Sequence, residues 1–160
     1  MKNIMIACFL FTLTVLFSAY SHAENTAKDW QLETQDGQAI SLAQFKGKPV
    51  ILHFWATWCP YCKKLQPTLV AMQEKYQAHD VALVGISFNE DPGATPQDAL
   101  SARGHDFITA VEGDAIAEQY GVVGTPTTFY IDKKGQIVFK STSSDTKDPR
   151  IELAIKEIIK

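Results

Sequence analysis

The sequence predicts an α/β sandwich, a mixed sheet flanked by helices. Three observations carry that prediction. Val50 to Trp55 and Val81 to Phe88 are short apolar runs, the first broken only by His53, and they read as strands covered on both faces. Between them, Cys62, Leu65, Leu69, Met72 and Tyr76 recur at spacings of three and four, the apolar stripe of a helix from Pro60 to about His79. Near the C-terminus, Thr127 to Ile131 and Ile137 to Lys140 flank the turn Asp132-Lys133-Lys134-Gly135 and form a hairpin. Strands that alternate with helices and then close on a hairpin and a helix predict parallel pairing first and antiparallel pairing last. The 160 residues fit one domain.

The elements follow in order. Residues 1–23 read as a signal peptide. Lys2 gives a positive start, Ile4 to Leu16 is mostly apolar, and Ser21-His22-Ala23 places small residues where a signal peptidase cuts. The apolar run is short for a stable membrane span, so cleavage after Ala23 is expected, with an uncleaved anchor as the alternative. The remaining domain, residues 24–160, opens with a hairpin from Asp29 to Phe45 that turns at Asp36-Gly37, followed by Gly47-Lys48-Pro49. Pro67 should kink the long helix. Asn89 to Thr95 is a loop. Thr95, Pro96 and Asp98 start a helix that Gly104 ends. Phe107 to Val111 is a short strand, and Asp114 opens a brief helix closed by Gly121. Asp148-Pro149 begins the last helix, with Ile151, Ile155 and Ile158 on one face.

Loss of the leader removes Lys2 and Cys8. It leaves 14 of the chain's 15 basic residues against 18 acidic ones. This mildly acidic domain has no basic stripe for nucleic acid and no polybasic tail for lipid. It also has just two cysteines, both in His53-Phe-Trp-Ala-Thr-Trp-Cys59-Pro-Tyr-Cys62. An even count outside the cytoplasm points to a disulfide. A pair this close closes a tiny loop, however, and would constrain the unfolded chain little.

The pair falls where a strand gives way to a helix. The first turn of a helix offers free N–H groups and the positive end of its dipole. A thiolate at Cys59 is stabilised there, and Lys63 and Lys64 add positive potential, so Cys59 is the candidate attacking thiol. Cys62 shares the stripe of Leu65 and Leu69 and should face the core, placed to attack once Cys59 carries a mixed disulfide. Pro60 and Tyr61 tune the pair: Pro60 removes one N–H, and Tyr61 presents an aromatic surface. Metal is the rival reading. Two thiolates make half a zinc site, but no second cysteine pair exists, and His53, His79 and His105 are scattered. Copper held by the pair and a histidine is a further alternative.

The combination of FWATWCPYC and GVVGTPTTFYIDKKGQIV resembles the thioredoxin superfamily, and more narrowly its exported TlpA/ResA/DsbE-like branch. The resemblance spans roughly Trp30 to Lys160 and takes in the N-terminal hairpin and a central insert from Asn89 to Val111. It implies a thioredoxin fold and a cis bond between Thr125 and Pro126, since proline makes that isomer cheap. The family's loop packs beside the redox pair, so Thr125 would offer its backbone to an extended substrate segment. Trp58 matches the tryptophan beside the family's attacking cysteine. Trp55 reads equally as core or site, and Phe54 as core.

The chain also departs from the pattern. His53 stands where thioredoxins carry a buried aspartate, and an imidazole there would relay a proton to or from Cys62 or else be a satisfied core residue. Leu65 stands where many of the branch have glutamate. Glu90, Asp91 and Glu112 are candidate acids near the site that sequence alone does not place. The resemblance implies an exported thiol–disulfide oxidoreductase in the periplasm. Its redox-active Cys59–Cys62 disulfide would serve without a cofactor and would exchange with cysteine-containing protein substrates. A reductant recharged by a membrane electron donor of the DsbD/CcdA type is expected, serving cytochrome c maturation or protein thiol repair, as a monomer. The alternatives are a disulfide oxidase or isomerase, a copper-binding protein, and a thiol peroxidase. The last needs Thr or Ser three residues before its reactive cysteine, where this chain has Ala56.

Overall fold

The computed structural model describes residues 25–160; the expected signal peptide, its cleavage site and Cys8 lie outside the described residues. Seven strands form one sheet: β1 (Gln31–Thr34), β2 (Ala39–Ser41), β3 (Val50–Trp55), β4 (Ala82–Ser87), β5 (Thr109–Val111), β6 (Thr127–Ile131) and β7 (Ile137–Ser141). Their order across the sheet is β2-β1-β5-β4-β3-β6-β7. β3, β4 and β5 are parallel, and the remaining pairings are antiparallel. The helices are α1 (Pro60–Lys75), α2 (Pro96–Ser101), α3 (Asp114–Gln119) and α4 (Pro149–Ile158).

Alternation along the strands divides the core into two layers. Ile51, Trp55, Leu83 and Tyr130 face α1, α2 and α4, where they meet Leu65, Leu69, Leu100, Ile155 and Ile158. Val50, Leu52, Phe54, Val84, Ile86 and Phe129 face the other way, onto Trp30, Ile40, Ala117 and Tyr120. There the rings of Phe54, Tyr120 and Phe129 pack edge to face or tilted, with centroids 5.2–5.7 Å apart. Every residue of β3 is buried, as a strand covered on both sides requires.

The predicted long helix is shorter than expected. It ends at Lys75, a 3-10 turn follows over Gln77–His79, and Asp80 closes it in the left-handed region at φ 55°. Tyr76 is the reason for the early stop: it leaves helical geometry, and its N–H reaches back to the carbonyls of Met72 and Gln73. Pro67 lies inside α1 on its solvent side, and the helix runs through it. At the start of α4 the Asp148 carboxylate accepts the N–H of Arg150 at 2.9 Å, the capping its position predicts.

Candidate active site

β3 delivers the chain to the pair. After Trp55 comes a tight turn, in which the Cys59 N–H donates to the Ala56 carbonyl at 3.1 Å, and α1 begins at Pro60 with Cys59 as its N-cap. Proline suits that first helical position, where its missing N–H would have had no partner. The Cys62 N–H donates to the Cys59 sulfur at 3.0 Å. Cys59 and Cys62 form a disulfide, with Cα atoms 5.3 Å apart. Helix geometry therefore aims one orphan backbone donor at one sulfur of the two, which favours negative charge on Cys59.

Exposure does not separate the cysteines as expected. In the disulfide form Cys59 is 1% exposed and Cys62 is 0% exposed. The asymmetry between them rests on the hydrogen bond and on what surrounds the pair. Trp58 and Tyr61 stand out at 46% and 61% exposed, with Pro60 and Lys63 also on the surface. The Trp58 indole is pinned by donating to the Asn89 carbonyl at 2.7 Å.

The Thr125–Pro126 bond is cis. β6 runs antiparallel to β3 with Thr127 opposite Phe54, so Pro126 enters beside the end of β3 that leads to the cysteines. Pro126 is buried, Thr125 is half-buried, and Val123 just before them is almost fully exposed. Trp58 and Tyr61 flank the cysteines and Val123 precedes the cis-proline, and all three are exposed apolar side chains.

His53 is fully buried in β3. Strand register sets Thr128, His53, Gly85 and Thr109 in one row across β6, β3, β4 and β5. Nδ1 of His53 lies 3.0 Å from the Thr128 hydroxyl, and Nε2 has no protein partner. Burial alone pushes the imidazole down to about 3, so it is neutral at physiological pH. Gly85 leaves space in that row, and the Trp55 indole fills it and donates to the Thr109 hydroxyl at 3.0 Å. Trp55 is thus core, as is Phe54.

Three further residues belong to the site's support, and of these the sequence offered only Glu90. Of the acids left unplaced above, Glu90 is brought to the active-site turn: its carboxylate accepts the Thr57 N–H at 2.8 and 3.0 Å and also the hydroxyls of Thr57 and Ser87. Thr57, one residue from the position a thiol peroxidase would use, thus spends its hydroxyl on Glu90. Gln66 is fully buried one helical turn after Cys62, and its side-chain oxygen accepts from Arg103 at 2.9 Å. The Arg103 guanidinium lies over the Trp55 ring, 5.5 Å from its centroid. A polar residue next to an apolar stripe was the available signal for Gln66; Arg103 had none. Among the described residues no group of three His, Cys, Asp or Glu side chains is arranged to hold a metal ion.

A disulfide capping a helix beside a cis-proline, on a mixed sheet of this topology, defines a thiol–disulfide oxidoreductase of thioredoxin fold. The chain belongs to the Redoxin family, whose sequence profile matches residues 22–155. It is 34% identical over 130 residues to the thioredoxin-like protein YneN of Bacillus subtilis, covering 76% of each chain. It is 33% identical over 124 residues to the thiol-disulfide oxidoreductase ResA of Bacillus thuringiensis, covering 77% of this chain and 70% of that one. A thiol:disulfide interchange protein of the thioredoxin family from Chlorobium tepidum superimposes with a TM-score of 0.73 at 26% identity, over 88% of this chain and all of the other. The expected fold, with its N-terminal hairpin and central insert, and the expected ResA/DsbE type are borne out. Among the described residues no helix is long and apolar enough to cross a membrane.

Proposed function

We propose that this protein is an exported reductant of protein disulfides. The Cys59 thiolate attacks a substrate disulfide, one substrate sulfur leaves as a thiolate, and a mixed disulfide joins Cys59 to the other. Cys62 then loses its proton and attacks Cys59, releasing the second substrate thiolate and restoring the Cys59–Cys62 disulfide. Two electrons pass to the substrate and the pair is oxidised. The pair holds those electrons itself, so the cycle calls for no cofactor.

The observation that carries this reading is the Cys62 N–H on the Cys59 sulfur at the N-terminus of α1. It marks Cys59 as the group to ionise first. The direction of electron flow has its own support. Strongly oxidising pairs stabilise their reduced form through an intensely stabilised thiolate. Here Pro60 withholds an N–H, and Lys63 and Lys64 project into solvent. A modestly stabilised thiolate makes the reduced pair a willing donor. Trp58, Tyr61, Thr125 and Pro126 would seat an extended cysteine-containing segment, while the surface charge of Lys63 lends the thiols only a weak, solvent-screened influence. The relatives named ResA and the leader-like residues 1–23 favour work in the periplasm, as a single chain recharged by a membrane dithiol donor of the DsbD/CcdA type. Apocytochromes in cytochrome c maturation, or oxidised proteins awaiting thiol repair, are the substrates proposed.

The test is a trap. Cys62→Ala, expressed in the native envelope, should accumulate proteins disulfide-linked to Cys59, among them apoproteins bearing haem-attachment cysteines or oxidised envelope proteins. The Cys59→Ala variant should hold none. An empty trap in Cys62→Ala would overturn the reading.

A further inference from the structure

The end of the sheet opposite the cysteines carries a groove of about 390 Å³. β3 begins there at Val50, paired with Ile131 at the end of β6, whereas Cys59 follows the far end of β3. Leu42 and Phe45 give the groove a half-buried apolar wall, and Lys46, Lys48, Lys133 and Lys134 surround it, all four exposed. These lysines come from two short stretches, one before β3 and one in the turn between β6 and β7. Folding assembles them into a patch that no single run of the sequence contains.

The groove's charge is opposite to that of the domain, in which acids outnumber bases. Its two acids are Asp29 and Asp132. The Asp132 carboxylate is spent within its own turn, accepting the N–H groups of Lys134 and Gln136 at 2.8 Å each. Lys48 meets Asp80 at 2.8 Å, but both are exposed, and such a pair yields readily to another anion. Lys133 donates to the Ile159 carbonyl at 2.8 Å, a neutral partner that leaves its charge uncompensated. The ammonium groups of Lys46 and Lys134 have no partner among the described residues. The chain also enters the domain here. Thr26 and Ala27 line the groove, the Ala27 N–H donates to the Gly135 carbonyl at 2.8 Å, and the Ile137 N–H donates to the Asn25 carbonyl at 2.7 Å. Residues 17–24 alone separate Asn25 from the apolar run Ile4 to Leu16. Eight residues reach at most about 29 Å. A membrane that holds that run keeps this pole close to its surface.

We propose that the lysine-rimmed groove is a docking surface for an anionic phospholipid bilayer. The ammonium groups meet headgroup phosphates, and Leu42 and Phe45 present apolar surface to the interface. Each lysine near such a surface contributes about fivefold to partitioning. The acidity of the rest of the domain keeps its other faces off the bilayer, so binding is oriented. The six residues of β3 set the cysteines about 20 Å farther out, where Trp58, Tyr61 and the cis-proline loop stay open to protein partners. The inference goes beyond the exchange reaction and does not depend on its direction.

The experiment reconstitutes the full chain in vesicles and labels its lysines with an amine-acylating reagent, read by mass spectrometry. On vesicles of equal parts phosphatidylglycerol and phosphatidylcholine, labelling of Lys46, Lys133 and Lys134 should fall about fivefold or more relative to phosphatidylcholine alone. Lys63 and Lys64, beside the cysteines, should label equally on both. Salt at about 0.5 M should restore the labelling by screening. The double variant Lys46→Glu, Lys134→Glu should lose the lipid-dependent protection of Lys133 while reducing dithionitrobenzoate at the wild-type rate. Equal labelling of the groove on both vesicles would overturn the proposal. So would equal protection of Lys63 and Lys64, the mark of adhesion without orientation, or full protection by soluble inorganic phosphate, the mark of a small-anion site.

Discussion

Adding one methyl group at Gly85 should cost the fold about 2–4 kcal/mol, a magnitude that follows from its neighbours. A Cβ there would stand 2.5 Å from the Thr109 hydroxyl oxygen, 2.9 Å from Trp55 Nε1 and 3.0 Å from the Thr109 Cβ. The Thr109 backbone cannot retreat, because β5 is paired on both sides and its N–H donates to Gln97 at 3.1 Å. Relief must come from rotating the hydroxyl away, which leaves a fully buried indole N–H without a partner at roughly 1–3 kcal/mol. Residual overpacking adds about 1–3 kcal/mol. Lower entropy of the unfolded Ala chain returns about 0.4–1 kcal/mol. Urea unfolding of oxidised Gly85→Ala, followed by tryptophan fluorescence, measures the net loss. In a Thr109→Ala background the hydroxyl clash is gone and the indole bond is already lost, so the same substitution should cost at least about 1 kcal/mol less. A loss under about 0.5 kcal/mol in the wild-type background, or equal losses in both, would refute this account of the row beneath the pair.

Two pH predictions complete the set. His53 is held neutral down to about 3, whereas in the unfolded chain it protonates near 6.5. The unfolded state therefore binds the extra proton between those values, and stability falls on acidification by about 1.4 kcal/mol per pH unit over about pH 6 to 4. His53→Leu should remove that share of the slope, whatever it does to absolute stability, and chemical denaturation at several pH values reads it; an unchanged slope defeats the prediction. Hydrogen bonds from Lys75, Tyr76 and Lys156 hold the Glu152 carboxyl at about 2, below its ordinary 4.5. Its contribution is complete above about 4.5 and is lost as pH falls toward 2, so the stability gap between wild type and Glu152→Gln should close over that window. A gap that persists at pH 2 would count against it.

The fold was legible where one physical rule dominated. Val50–Trp55 and Thr127–Ile131 were located to the residue, because strands buried on both faces read as short runs of mostly apolar and β-branched residues between turn signals. Pro149 and Asp148 announced α4 by capping chemistry alone. The end of α1 was not legible: Tyr76 continues the apolar stripe, and only the backbone reveals that it has already left the helix. Cys59 and Cys62 stood out because their spacing and the strand-to-helix junction lie within a few consecutive residues. Local sequence carries that kind of information in full.

What surrounds the pair arrives from far along the chain, and there the sequence was silent. Glu90 reaches Thr57 across 33 residues, Arg103 reaches Gln66 across 37, and Thr128 meets His53 across 75. No periodicity encodes such meetings, which depend on strand order and register. The departures at His53 and Leu65 are easier to understand once these partners are placed. With Leu65 filling the core, polarity near Cys62 has to come from elsewhere. The candidates are the His53 imidazole in β3 and the Gln66 amide one turn along the helix from Cys62. Both are fully buried, and each keeps one nitrogen free of protein partners. An apolar core would gain nothing from two such nitrogens and would lose stability to each.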